Sequence, residues 1–584
     1  MLAARGRFAE AAQRFQRALA GKPEFIDAYN NLARAFLSLG QPDNALGALR
    51  RALAISESEG TKALFVQCVQ TLPVLPDIDD FRALMLRALS EPWGRANDLA
   101  LVAGRLIKQD PAISVAIRRV MEVWPRRLTA DALLDAGTLA ALCGNRLLHC
   151  LMQSAAVSDV ALERLLTAVR FAILELASRS EGASVEQGIV DLCCSLARQC
   201  FLNEQVFAIT AQEIAQAQRL RDRVMAALAS GAAVPEFQLA AVASYFPLPA
   251  LSGAEKLTDR AWSAAMADVL VQQVREPAQE RELRSAIPAL TVIEDEVSRQ
   301  VRAQYEENPY PRWTKAEPVR APLVFDDYLR RRLPASVFRK LGKTELDVLV
   351  AGCGTGQHAI ETTQRFAGAK VLALDLSLTS LAYALRKTRA LGRTNLEYCQ
   401  ADILKLGSLG RRFDLIESSG VLHHLADPFG GWRVLLSLLR PGGFMTVGLY
   451  SALARAEVVK ARALIAERGY RSSADDIRRC RQALFEDGSF AAITSSGDFF
   501  STSGCRDLLF HVQEQRLTIP QIAEFIAANG LSFVGFDLDH ATPQKYLQHF
   551  PQDRAMTDLA CWDAFEREHP HTFAGMYQFW VQKL

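Results

Sequence analysis

Three kinds of side chain stand where this sequence could do chemistry. The apolar stretch Asp347 to Ala351 runs into Gly352-Cys353-Gly354-Thr355-Gly356, and a helical pattern begins at Gln357. Glycines at such a turn let the backbone approach a ligand, and the helix N-terminus behind them favours negative charge. Carboxylates at strand ends come next. KVLALDL ends with Asp375, placed to accept hydrogen bonds from both hydroxyls of a ribose, and NLEYCQADI ends with Asp402, placed for the exocyclic amine of an adenine. The third kind is histidine: of nine, only His149 precedes residue 358, so chemistry is expected in the second half. The pair His423-His424 follows a fourth strand-like run. His423 is the first candidate to contact a cofactor or acceptor, with His424 beside it; the alternative is that the pair caps the next helix and packs locally.

The elements that must hold these residues alternate. VLVA, KVLALDL, NLEYCQADI and FDLIESSGVLHHL are strand-like; the helix WRVLLSLL, the turn Arg440-Pro441-Gly442-Gly443 and the strand FMTVGLY follow. Alternating strands and helices imply a parallel sheet with right-handed crossovers. TIPQIAEFIAANG (518–530) is an amphipathic helix stopped by Gly530, and LSFVGFDL and MYQFWVQ supply two further strands. Residues 452–517 and 540–574 are then insertions. Ligands bind beyond the carboxyl ends of parallel strands, so SSGDFFSTSGCRDLLFHVQEQR is expected to help form a substrate pocket. In it His511 and Glu514 lie three apart and should share one helix face, with Arg506 and Asp507 near the helix start. They could orient an acceptor or form a structural ion-pair cluster.

Taken in order, VLVAGCGTG, ALDLS, QADI, FDLIESSGVLHHL and LLRPGG resemble the class I methyltransferases that use S-adenosylmethionine. The glycine pattern is GxGxG, not the GxGxxG of nicotinamide enzymes. The resemblance implies an α/β Rossmann-like domain with a seven-stranded, mostly parallel sheet. It also implies that Gly352, Gly354 and Gly356 pack against the methionine part of the cofactor, with Cys353 among them. Asp375 would hold the ribose, Leu376 would lie beside the adenine, Asp402 and Ile403 would fix its edge and face, and Ser418 would close the site near the sulfonium. One residue departs from the pattern. The family often carries an acid two residues before the first glycine, which helps hold the cofactor's amino group; this chain has Val350. Cofactor affinity is then modest, or the contact comes from elsewhere. Methyl transfer is an in-line displacement on an activated methyl group, so alignment supplies most of the catalysis, and a base is needed only where the acceptor loses a proton.

The N-terminal part reads differently. Gly6, Ala11, Phe15 and Ala18 recur 34 residues later as Gly40, Ala45, Leu49 and Ala52. Small residues at helix crossings with large ones between them resemble the tetratricopeptide repeat, over residues 1–59. The first unit lacks its first helix, so Met1 is not expected to be the natural start. Residues 60–290 form an irregular, all-α, solenoid-like helical region, read as a protein-binding groove or as a packed spacer or dimerisation surface. Residues 291–340 are a linker helix and the NPYPRW segment, whose Tyr305, Tyr310 and Trp313 form an aromatic lid over a ligand or dock one domain on another. The methyltransferase-like domain takes 341–584, with its motif core at 346–451.

Composition narrows the function classes. Net charge is +2, from 67 basic and 65 acidic residues, and no basic stripe interleaved with aromatics stands out, so nucleic acid is an unlikely partner. No apolar run reaches membrane-spanning length. Eleven cysteines without a CxxC pair read as reduced thiols in a cytoplasmic protein, and no metal is expected. Two readings follow: an enzyme that methylates an acceptor, or a scaffold that binds cofactor without turnover. A protein recruited by the repeats is the first acceptor to consider and a small metabolite the second.

Overall fold

β1 (Leu346–Ala351) is apolar apart from Asp347 near its start, because helices cover both of its faces. Leu346, Val348 and Val350 enter one core, and Leu349 and Ala351 enter the other. This alternation recurs in β2 (Ala369–Asp375), β3 (Leu396–Gln400), β4 (Phe413–Ser419) and β5 (Leu439–Leu449). β6 (Leu531–Phe536) and β7 (Tyr577–Lys583) complete a seven-stranded sheet of order β3-β2-β1-β4-β5-β7-β6. β1 to β5 are parallel, and β7 runs antiparallel between β5 and β6. The Arg440–Gly443 turn is absorbed into β5, where the β4–β5 register shifts. The strand order reverses between β1 and β4, so the crevice for a ligand opens beyond their carboxyl ends.

The computed structural model describes residues 7–76, 80–180, 185–317, 321–539 and 541–584. Gly6 of the repeat and His540 lie outside them. In the N-terminal half, helices Phe8–Gly21, Ile26–Ser38 and Pro42–Ile55 pack in succession. Ala11, Ala33 and Ala45 are buried at their crossings. One core runs from Ala12 to Val274, so the repeats and the irregular helices bury a common interior. Among the described residues, no helix is long and apolar enough to cross a membrane.

The helical half is docked on the sheet domain. Glu163 and Arg481, both buried, form a two-point ion pair at 2.8 and 3.1 Å, and Arg481 also donates to the carbonyls of Val206 and Phe499. Arg312 binds Glu204 at 3.0 Å, and Lys315 donates to the carbonyls of Leu89 and Ser90. Gln544, in the second insertion, reaches the Ser38 carbonyl of the repeats.

Candidate active site

A cavity of about 320 Å³ opens at the strand-order reversal. Its wall includes Gly352, Cys353, Gly354, Asp375, Leu376, Asp402 and Ile403, so the structure brings most of the expected cofactor residues to one place. Gly352, Gly354 and Gly356 all have positive φ (79°, 51° and 83°). Their need for glycine comes as much from the protein as from any ligand. A Cβ on Gly354 would stand 2.7 Å from the Tyr310 carbonyl oxygen, and one on Gly352 would stand 2.3 Å from a Val421 methyl. Gly356 does not line the cavity: it caps the helix Gln357–Arg365 and packs on Ala384, which a Cβ would meet at 2.4 Å.

The carboxylate of Asp375 sits beneath this turn, accepting from the Gly354 and Ser377 amides at 2.8 and 2.9 Å, while burial raises its pKa. Asp402 accepts from the Leu404 amide at 2.9 Å through Oδ1, while its buried Oδ2 has no partner within the protein. A buried carboxylate oxygen left open on a cavity wall fits an amine donor such as that of an adenine. The wall carries Asp375, Asp402, Glu417 and Asp507 against the guanidinium of Arg95, and this excess of carboxylates favours a cationic ligand.

The other expected residues divide. Ser418 points away from the cavity and Ser419 lines it, because successive strand residues face opposite ways. His423 also lies behind the wall, stacked on Tyr450 at 3.8 Å, and His424 reaches the cavity. Tyr305 and Tyr310 line it too, whereas Trp313 is buried with its indole N–H on the Thr355 carbonyl. Tyr305 and Tyr310 thus serve as cavity wall and Trp313 as a docking residue.

The helix expected to run through His511 and Glu514 ends earlier. It spans Thr502–Phe510, so Arg506 and Asp507 lie in its middle and His511 is its C-cap. The chain beyond is drawn out by backbone hydrogen bonds, from Gln515 to the His423 carbonyl at 2.7 Å and from Leu517 to the Tyr450 carbonyl at 2.9 Å. Arg506 binds Glu307 and Asn308 outside the cavity. Glu514 pairs with Arg455, which stacks on Tyr450, so this pair acts structurally.

His511 instead joins a hydrogen-bond chain along the acceptor side. The Gln513 amide donates to His511 Nδ1 at 3.1 Å, His511 Nε2 faces the Tyr305 hydroxyl at 3.2 Å, and that hydroxyl donates to Asp507 Oδ1 at 2.6 Å. Burial holds His511 neutral, with its pKa down at about 2, so its one ring proton is on Nε2. His424 stacks on His511 at 3.6 Å and places Nδ1 2.8 Å from the Gln513 carbonyl. That contact keeps the proton on Nδ1, and burial lowers the His424 pKa to about 4, so Nε2 is a bare lone pair at neutral pH. Asp507 and Asp498, which accepts from Tyr310 at 2.8 Å, are pushed up by burial to about 6. His424, Asp507 and His511 each bring a ligand atom within 4.8 Å of the others. In this tautomer the His511 lone pair is on Nδ1, engaged by the Gln513 amide, and Nε2 faces Tyr305.

Sequence reasoning missed Glu417, His358, Tyr450, Met576 and Arg95, all on the wall. Glu417 carried a signal, as an acid within a strand buried on both faces. Tyr450 follows β5 at its carboxyl end. Arg95 and Met576 carried none.

Residues 348–443 match the model described as a methyltransferase domain, and residues 2–58 match one described as a tetratricopeptide repeat. An uncharacterized protein of Synechococcus sp. is 27% identical over 282 residues, which cover 45% of this chain and 66% of that protein. The tRNA 5-carboxymethoxyuridine methyltransferase of Escherichia coli K12 is 35% identical over 118 residues, covering 20% of this chain and 44% of that enzyme. The chain thus spans less than two thirds of either relative. Among solved structures, PKMT2 of Rickettsia typhi aligns at 16% identity with a TM-score of 0.36, over 44% of this chain and 52% of that one. The sheet order, the glycine turn and the match over 348–443 make the C-terminal half a class I, S-adenosylmethionine-dependent methyltransferase domain. The chain carries this domain fused behind N-terminal tetratricopeptide repeats.

Proposed function

We propose that this protein transfers the methyl group of S-adenosylmethionine to an acceptor seated between the linker helix Glu296–Glu307, the Thr502–Phe510 helix and the carboxyl ends of β4 and β5. One observation carries the reading. A single cavity joins the glycine turn, Asp375 and Asp402 on one side to Tyr305, His424, Tyr450 and Asp507 on the other. The cofactor, when bound, supplies a methyl group already activated on sulfonium. The chain's own residues align the acceptor, exclude water and hold its proton. His424 Nε2 is the site for a proton leaving the acceptor, and Asp507, steadied by Tyr305, orients a polar or cationic group.

The relatives' acceptors do not transfer, since the matched E. coli segment covers a fifth of this chain. We read the repeats and the helices behind them as the docking surface for a protein partner or protein acceptor, with a small metabolite as the other acceptor class. Val350 supports the second reading, a scaffold that binds cofactor without turnover. Titration calorimetry with S-adenosylhomocysteine, together with radiolabelled S-adenosylmethionine in a lysate, separates the two. The enzyme reading expects both binding and labelled product. Binding with no product in protein, small-molecule or nucleic-acid fractions refutes it.

A further inference from the structure

Val350 and Glu417 are register partners on neighbouring parallel strands, so their side chains leave the sheet on the same face, side by side, and both line the cavity. Glu417 is almost completely buried. Its Oε2 accepts from Thr362 Oγ1 at 2.5 Å and lies 2.8 Å from His358 Nε2, while Oε1 has no hydrogen-bond donor and stands 3.7 Å from Arg365 Nη1. These neighbours hold it as a carboxylate, with its pKa down at about 2 despite burial. A buried anion on a cavity wall, with one oxygen that lacks a hydrogen-bond donor, is a site for a cation that carries N–H donors.

The opposite charge comes from the other half of the chain. Arg95 lines the same cavity and grips Glu361 through Nε, at 2.8 Å, and Nη2. Glu361 lies one turn from His358 and Arg365 on the helix Gln357–Arg365, which starts at the glycine turn. A carboxylate and a guanidinium therefore stand along one helix, at the end of the cavity where Gln357 and His358 also line the wall. With Nε and Nη2 held by Glu361, the Nη1 end of the guanidinium is what Arg95 can offer a ligand carboxylate.

We propose that Glu417 and Arg95 form a clamp for an α-amino-acid zwitterion, the methionine end of the cofactor, with Glu417 taking the ammonium and Arg95 the carboxylate. The clamp rests on the methyltransferase reading above. It makes Val350 a relocation: the acid has moved one strand over, from β1 to β4. It also makes the helical half part of the cofactor site, because Arg95 belongs to that half.

The test is titration calorimetry of the full chain with two probes, S-adenosylhomocysteine and 5′-methylthioadenosine, which lacks the amino-acid end. Glu417→Gln and, separately, Arg95→Ala should each weaken S-adenosylhomocysteine by at least about tenfold and move methylthioadenosine by less than about twofold. Adding Val350→Asp to Glu417→Gln should recover most of the lost affinity, because either strand then presents an acid at that register position. Equal loss for both probes would show that Glu417 only pins the helix to the sheet, and would overturn the clamp. Unchanged S-adenosylhomocysteine affinity in both variants would overturn it too. If Glu417→Gln does not fold, the Arg95 arm decides; because loss of Arg95 strands the buried Glu361 carboxylate, that arm is run as the Arg95→Ala/Glu361→Gln double variant, with Glu361→Gln alone as its control. Wild-type protein that binds neither probe would remove the underlying reading, a different result from a wild type that binds both while its variants do not discriminate.

Discussion

Replacing Asp507 by asparagine should stabilise the protein at neutral pH while impairing its site. Asp507 is buried, accepts a hydrogen bond from Tyr305, and has its pKa raised from 3.8 to about 6, mainly by burial and against the lowering effect of that bond and of Arg455. A raised folded-state pKa contributes stability that is fully present below the unfolded value and is lost as pH rises through the folded one. The window here runs from about pH 4 to about pH 6. Above it the fold carries a buried anion whose cost, for a shift of about two units at 1.36 kcal/mol each, is about 3 kcal/mol. Asparagine keeps the acceptor oxygen for Tyr305 and removes the charge. If the C-terminal half melts as one unit, the gain in Tm at pH 7.5 is at most about 6–12 °C. Near pH 4 the wild-type carboxyl is protonated and the gap should close. The buried histidines change stability over the same pH range, but they are common to both proteins and cancel in the difference. The assay is calorimetric melting of both proteins at pH 7.5 and pH 4.5, with methyl transfer measured beside it. A variant that melts lower at pH 7.5, or a gap of equal size at both pH values, refutes the account of a buried and poorly compensated carboxylate.

Three other outcomes follow from the geometry. Asp375→Ala should weaken S-adenosylhomocysteine by at least about tenfold with the fold intact, and unchanged affinity in calorimetry would place the ribose elsewhere. For an acceptor that loses its proton to the site, His424→Gln should slow turnover about a hundredfold, while His423→Gln, which loses packing on Tyr450 and the edge contact with His424, should mainly lower Tm; equal turnover in the two would exclude His424 as the proton acceptor. Glu163→Gln leaves Arg481 buried without its counter-charge and should cost about 3–5 kcal/mol, seen as earlier proteolytic separation of the helical half. A wild-type digestion profile would mean that this ion pair does not hold the halves together.

The motif-bearing half of the site was legible because a parallel sheet writes each strand end as a local pattern. Asp375 and Asp402 stand at the ends of apolar runs, and the glycine turn stands between a strand and a helix. Parity was the first thing to fail. Ser418 and Ser419 are equally plausible by composition, and only the facing of Leu415 and Ile416 into different cores decides which one meets the ligand. Local pattern failed next at His511. Its spacing to Glu514 suits a helix, but backbone hydrogen bonds to residues 423 and 450 outweigh that preference, and no window of sequence contains them. Arg95 was out of reach for a third reason: it meets Glu361 across 266 residues of chain, and a lone arginine in a helical region is ordinarily solvated.

The origin of the wall residues bears on how the two halves work together. Several close the site from outside the α/β core: Arg95 from the helical half, Tyr305 and Tyr310 from the linker, Asp507 from the insertion. A repeat module on a flexible tether would only raise the local concentration of whatever it binds. Here Glu163–Arg481 and Glu204–Arg312 fix the module against the insertion and the linker that carry the acceptor-side residues. A load on the helical half therefore acts on the same elements that set the positions of Asp507 and Tyr305. The helical half is better understood as one wall of the site than as an appended adaptor.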